Sequence, residues 1–131
     1  MCILFTMYEL TIKKTFSAAH TLVIGGEREE LHGHNFDVEI TVSSATLDSD
    51  SVVMDFRHLK RKADEVLACL DHTYLNDIDY FKSVPPTSEQ IARFIFERIK
   101  KGLPGENIVV SRVSVWESKN AWATYREDDC G

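Results

Sequence analysis

Between residues 8 and 20 apolar and polar side chains alternate. Tyr8, Leu10, Ile12, Phe16 and Ala18 take one parity, and Glu9, Thr11, Lys13, Thr15 and Ser17 the other. A period of two is the mark of a strand with one buried face. A second such run covers 34–44, with Phe36, Val38, Ile40 and Val42 inward and Asp37, Glu39 and Thr41 outward. The period then changes. Over about 55–70, Phe56, Leu59, Ala63, Val66, Leu67 and Leu70 fall on one helical face, with Asp55 as N-cap. After Pro85-Pro86 a second helix is predicted over about 88–101. Thr87 is its N-cap and Gln90 completes a capping box; Ile91, Phe94, Ile95 and Ile99 form the stripe, and Gly102 and Pro104 stop it. Two further strands, 107–117 and about 121–126, are joined by Ser118-Lys119-Asn120. The order ββααββ predicts an α+β domain: a four-stranded antiparallel sheet with two helices on one face. Trp116, Trp122 and Tyr125 lie on the late strands, and some of them must point away from the helices. An apolar helix-free face would favour self-association, with sheets joining edge to edge into a barrel.

Composition narrows the class without naming a function. The 131 residues make one domain, and 44% apolar with 27% charged residues is ordinary for a soluble protein. Patterned sequence begins at about Met7, which marks 1–7 as an N-terminal extension without the features of a secretory signal. No apolar run is long enough to span a membrane. Three scattered cysteines, Cys2, Cys69 and Cys130, with no C-x-x-C pair, fit reduced thiols in the cytoplasm. A net charge of −6 and the lack of a basic stripe argue against nucleic acid.

The candidate chemistry sits where the first two strands begin and end. His20 continues the inward parity of the first strand, and His32 and His34 share the inward parity of the second. Three imidazoles from neighbouring strands, with a fourth position open, are the layout of a catalytic zinc, although such a set also accepts nickel or copper. A single inward histidine is more often a packed core residue; convergence of three reverses that reading. His58 lies on the polar side of the first helix and reads as solvated. Glu27, Glu29 and Glu30 would, on composition alone, be a hydrated loop, and Cys69 at the edge of the first helix's stripe reads as packing.

Six short stretches in order resemble the 6-pyruvoyl-tetrahydropterin synthase and 6-carboxy-tetrahydropterin synthase family. They are Phe16-Ser-Ala-Ala-His20, Leu31-His-Gly-His-Asn35, Asp55-Phe56 with Leu59-Lys60, Leu70-Asp-His-Thr-Tyr-Leu-Asn76, Pro86-Thr-Ser-Glu89 and Val115-Trp-Glu117. The resemblance runs over about 8–126 and implies the tunnelling fold, trimers or hexamers with a barrel, and active sites between subunits. It implies zinc held by His20, His32 and His34, where it would polarise side-chain hydroxyls of the substrate. It makes Asp71 and His72 a carboxylate–imidazole pair for proton transfer, Glu117 the anchor of the pterin ring, and Thr87, Ser88 and Glu89 part of the pterin pocket.

One departure bears on the reaction. Most of the family carries a catalytic cysteine four residues before the first histidine of His-Gly-His; this chain has Arg28, which cannot act as a base. Glu29, three residues before His32, instead resembles the subgroup with glutamate in that role. That subgroup cleaves 7,8-dihydroneopterin triphosphate to 6-hydroxymethyl-7,8-dihydropterin, a folate precursor. Such a glutamate should be partly buried, which would raise its pKa toward working pH. The alternatives are 6-carboxy- or 6-pyruvoyl-tetrahydropterin synthesis from the same triphosphate, or a non-catalytic zinc- or pterin-binding homologue. Lys13, Lys14, Lys119 and Arg126 are candidates for the triphosphate by position.

Overall fold

The computed structural model describes residues 6–103, 105 and 107–127. Cys2, Cys130 and most of the N-terminal extension lie outside them. The two alternating runs form long strands, β1 (Tyr8–His20) and β4 (His32–Ser44), paired antiparallel along their whole length from Tyr8↔Ser44 to His20↔His32. Between them Val23–Ile24 (β2) and Glu27–Arg28 (β3) make a small separate hairpin. Its turn is Gly25-Gly26, with φ of 60° and 82°, the left-handed pair that a two-residue hairpin turn requires and that glycine adopts without strain. Two-residue strands carry no periodicity, so only the glycine pair could have announced this hairpin.

The helices follow their patterns. α1 (Phe56–Ala68) buries Leu59, Ala63, Val66 and Leu67; Asp55 caps it by accepting from the Arg57 N–H at 2.8 Å. The Arg57 side-chain and backbone hydrogen bonds hold the Asp55 carboxyl down at about 2. Phe56, expected on the buried face, is exposed at the first position of the helix. Cys69, expected to pack, is exposed at the helix end. His58 is exposed as expected.

α1 is followed by β5 (Thr73–Tyr74), a 3₁₀ turn (Leu75–Asp77) and a one-turn helix α2 (Tyr80–Ser83), none of which the apolar pattern foretold. α3 (Ser88–Lys101) starts at Thr87, whose Oγ1 accepts from the Gln90 N–H at 3.2 Å. It buries Ile91, Phe94, Ile95 and Ile99, and also Ala92 and Phe96. β6 (Val109–Ser118) and β7 (Ala121–Arg126) complete the sheet, whose order is β5-β1-β4-β6-β7. The sheet therefore has a fifth, two-residue strand, parallel to β1, beyond the four antiparallel strands expected.

Both main helices cover one face, with α3 over β6 and β7 and α1 against β1. On that face the core runs through Leu10, Ile12, Phe16, Phe36, Val38, Ile40, Val113 and Val115. Tyr125 turns to it and meets Phe96 edge-on at 4.9 Å. The opposite face is polar rather than apolar. Hydroxyl pairs bridge its strands: Thr11–Thr41 at 2.8 Å, Ser43–Ser111 at 2.6 Å and Ser114–Thr124 at 2.7 Å. Trp116 and Trp122, stacked with ring centres 5.3 Å apart, are its aromatic element. Exposed Trp122 and Val109 add apolar surface to that face. No helix among the described residues is long and apolar enough to cross a membrane.

Candidate metal centre and active site

The three histidines come from a row of side chains that begins as core. Phe16, Ala18 and His20 follow one another along β1, and Phe36, His34 and His32 along β4, all on the face that carries the core. Phe16 and Phe36 stack at 5.0 Å, and Phe36 then meets His20 at 5.5 Å and His34 at 5.4 Å, edge to face. The imidazoles themselves lie 4.4–5.3 Å apart, centre to centre. One nitrogen from each falls within 4.8 Å of the other two.

The hydrogen bonds decide which nitrogens those can be. His20 Nδ1 lies 2.8 Å from the carbonyl oxygen of Pro86, and His32 Nδ1 lies 2.7 Å from that of Glu30. A carbonyl only accepts, so both Nδ1 atoms carry a proton, and Nε2 is the nitrogen each ring has left for a metal. His20 Nε2 and His34 Nε2 are buried without a hydrogen-bond partner. Glu117 Oε1 stands 3.2 Å from His20 Nε2, but the pair lacks the alignment of a hydrogen bond. Buried polar atoms left unpaired cost about 1–3 kcal/mol each. Burial, and then the neighbouring His32, hold the His34 pKa below its ordinary value of 6.5; Glu117 acts in the opposite direction. Ring nitrogens brought together, with the Nδ1 atoms of His20 and His32 fixed by carbonyls, are what a metal needs from such a set. The donor set fits a metal ion.

Asp71 and His72 follow α1 and lie against the outer edge of β1 at Ser17. Asp71 Oδ1 accepts from the Ser17 N–H at 2.9 Å, and Oδ2 lies 3.1 Å from His72 Nδ1. The Ser17 bond first, then His72, keep the Asp71 carboxyl below its usual range. His72 has φ of 58°, a left-handed conformation that costs a non-glycine residue about 1–3 kcal/mol, and its N–H donates to Ser17 O at 2.6 Å. Its exposed ring borders an open groove with Ser17, Ala19, Gly33 and Asn35, residues of the parity opposite to the three histidines.

The remaining expected residues are less closely gathered. Glu117, at the end of β6, reaches the histidines as described. Thr87, Ser88 and Glu89 form the cap and first turn of α3, joined to the centre through the carbonyl of Pro86. Glu29 follows β3, its N–H bonded to Leu22 O at 2.8 Å, and its side chain is exposed. The partial burial expected for it is not supplied by the single chain. Lys13 and Lys14 are engaged by Glu39 at 3.3 Å and Asp64 at 2.9 Å, and they line a groove with Lys119 beside Trp116. Arg126 lies at the other end of the sheet, in a groove with Arg112 and Glu9.

The carbonyls of Pro86 and Glu30 are contributors that no side-chain pattern could reveal. Pro85-Pro86 before a helix cap was the available signal for the first. The side chain of Asn76, the last residue of the Leu70–Asn76 motif, bonds the backbone of Thr21 beside His20.

The chain is thus an α+β domain in which three histidines that could hold a metal ion gather at one end of the long strand pair. The chain belongs to the 6-pyruvoyl tetrahydropterin synthase family, whose model matches residues 9–128. It is an enzyme of that pterin-processing family. A dihydroneopterin monophosphate aldolase of Pyrococcus furiosus is 44% identical over 105 residues, 80% of this chain and 85% of the relative. The fold matches that of Caenorhabditis elegans 6-pyruvoyl tetrahydropterin synthase, with a TM-score of 0.82 at 24% identity over 97% of this chain and 100% of the other. A Plasmodium vivax 6-pyruvoyltetrahydropterin synthase, solved as a glutamate-to-alanine catalytic-residue mutant, matches with 0.76 at 21% identity over 94% and 99%.

Proposed function

We propose that this chain is a zinc-dependent lyase that cleaves the side chain of a phosphorylated 7,8-dihydroneopterin, releasing 6-hydroxymethyl-7,8-dihydropterin for folate synthesis. The observation that carries the reading is the carboxylate in place of a thiol. Arg28 and Glu29 precede the histidine pair, and the one cysteine among the described residues is the exposed Cys69 at the end of α1. The aldolase from Pyrococcus furiosus and the catalytic glutamate of the Plasmodium protein point the same way.

His20, His32 and His34 would hold the metal, which supplies Lewis-acid polarisation of the side-chain hydroxyls when bound. Glu117 would accept from the ring N–H and exocyclic amine of the pterin, beside the first turn of α3 with Thr87, Ser88 and Glu89. Glu29 takes the proton of the 2′-hydroxyl. The C1′–C2′ bond breaks, C2′ leaves as the aldehyde carbon of a phosphorylated two-carbon fragment, and the electron pair passes into the ring. His72, oriented by Asp71, returns a proton to C1′. The exposed Glu29 and the exposed apolar Val23, Ile24 and Leu31 around it favour a homo-oligomer in which a second copy covers this loop.

The resemblance of the motifs favours the triphosphate as substrate, and the name of the Pyrococcus relative favours the monophosphate. The test supplies each phosphate ester separately to zinc-loaded protein and identifies the pterin released by mass spectrometry. A 6-hydroxymethyl product from either ester supports the lyase and ranks the two substrates. A 6-carboxy or 6-pyruvoyl product, or none from either ester, refutes it.

A further inference from the structure

Beyond β5 the outer edge of β1 should be open to water, since β5 pairs only with Ala18 and Ala19. Side chains on both sides of β5 extend that pairing. Before it, Asp71 Oδ1 accepts from the Ser17 N–H and the His72 N–H donates to Ser17 O. After it, Asn76 Oδ1 accepts from the Thr21 N–H at 2.9 Å while Asn76 Nδ2 donates to Thr21 O at 2.9 Å. Tyr74 Oη adds a bond to Thr21 Oγ1 at 3.1 Å. The primary amide of Asn76 thus takes the place of one residue of a neighbouring strand. Both backbone groups of Thr21, the residue after His20, are satisfied by one side chain.

This matters because strands fray at their ends, and His20 is the last residue of β1. Its ring is fully buried, with Nδ1 on Pro86 O and Nε2 facing the other two histidines. Its backbone is paired on the inner side with His32. On the outer side the fastening just beyond it is Asn76. The segment 71–76 therefore delivers the Asp71–His72 pair at one end and clamps the metal-bearing strand at the other.

We infer that Asn76, with Tyr74 in support, is a positioning residue for the metal centre: it fixes the end of β1 so that His20 is held ready for the ion. The inference rests on the reading of His20, His32 and His34 as metal ligands. A residue that only stabilised the fold would lower the melting temperature and leave the zinc affinity of the folded protein unchanged. A positioning residue weakens that affinity, because ordering His20 becomes part of the cost of binding.

The experiment measures zinc dissociation constants by chelator competition, with metal-free melting temperatures alongside, for the unaltered chain, Asn76→Ala, Tyr74→Phe and Ile99→Val. Ile99 is fully buried near the C-terminal end of α3 and serves as a control for stability loss alone. Asn76→Ala should weaken zinc binding by roughly ten-fold, the low end for partners that orient metal ligands. Tyr74→Phe should weaken it less, and Ile99→Val should leave it unchanged despite a lower melting temperature. Unchanged zinc affinity in Asn76→Ala would overturn the inference. If that variant does not fold, unchanged affinity in Tyr74→Phe overturns it instead. Failure of the unaltered chain to bind zinc would refute the ligand assignment itself, and is told apart by appearing before any substitution.

Discussion

Phe36 is the floor of the histidine cluster, and replacing it by leucine separates two ways of holding the rings. His20 and His32 are each fixed by a carbonyl, of Pro86 and Glu30. For His34 the ring contacts with His20, His32 and Phe36 take that role. Leucine would keep most of the buried apolar area at Phe36 but lose the stack on Phe16 and the edges presented to His20 and His34. Aromatic contacts contribute about 0.5–1.5 kcal/mol each beyond area, and three sharing one ring do not add fully, so a net loss of about 1.5–2.5 kcal/mol is expected. For a chain of this length about 3–5 °C follows each kcal/mol, giving a fall in melting temperature of about 5–12 °C. Calorimetry of the metal-free protein at fixed concentration measures this, and chelator competition measures zinc affinity in the same samples. Zinc affinity should fall several-fold, chiefly through a freed His34. A melting temperature lowered as expected with zinc affinity unchanged would refute the role given to Phe36, and leave the carbonyl bonds as sufficient to set the site.

Three further outcomes are expected. Glu29→Gln should lower turnover by about 10²–10⁴-fold with zinc content unchanged, the range for loss of a positioned acid–base group; metal analysis beside steady-state kinetics checks both. Because the folded His34 pKa is depressed below 6.5, the unfolded chain takes up its proton first, so stability is full above pH 6.5 and is lost as pH falls from there toward the lower folded value. Urea unfolding of the metal-free protein across that window should show the loss, and His34→Gln should diminish it. Thr87→Ala should cost about 1 kcal/mol by removing the cap of α3, with Thr87→Ser restoring most of it, as read by thermal unfolding.

The long elements were legible because each is a period sustained over several turns or many residues; the patterns hold from Leu10 to Ala18 and from Ile91 to Ile99 and fail at the ends, where Tyr8 and Phe56 are exposed. β2, β3 and β5 were not, because a strand of two residues has no period; their formation depends on a glycine pair in one case and on the edge of β1 in the other. The histidine centre was legible through parity alone, since His20, His32 and His34 had to share a face. Its hydrogen-bonded frame was not, since Pro86 and Glu30 act through main-chain oxygens. Glu29 shows the opposite limit: its spacing suggests a role, while the single chain leaves its side chain exposed.

The β1–β4 pairing runs through thirteen residue pairs without a bulge, while irregularities fall between β4 and β6 and between β6 and β7. Side chains alternate with period two, so a slip of one position would send a histidine column to the helix-free face while its partner stayed behind. The histidine cluster is therefore encoded as a count as much as a composition. A one-residue slip of β1 against β4 at the histidine end would dismantle the cluster, because the two columns would no longer share a face.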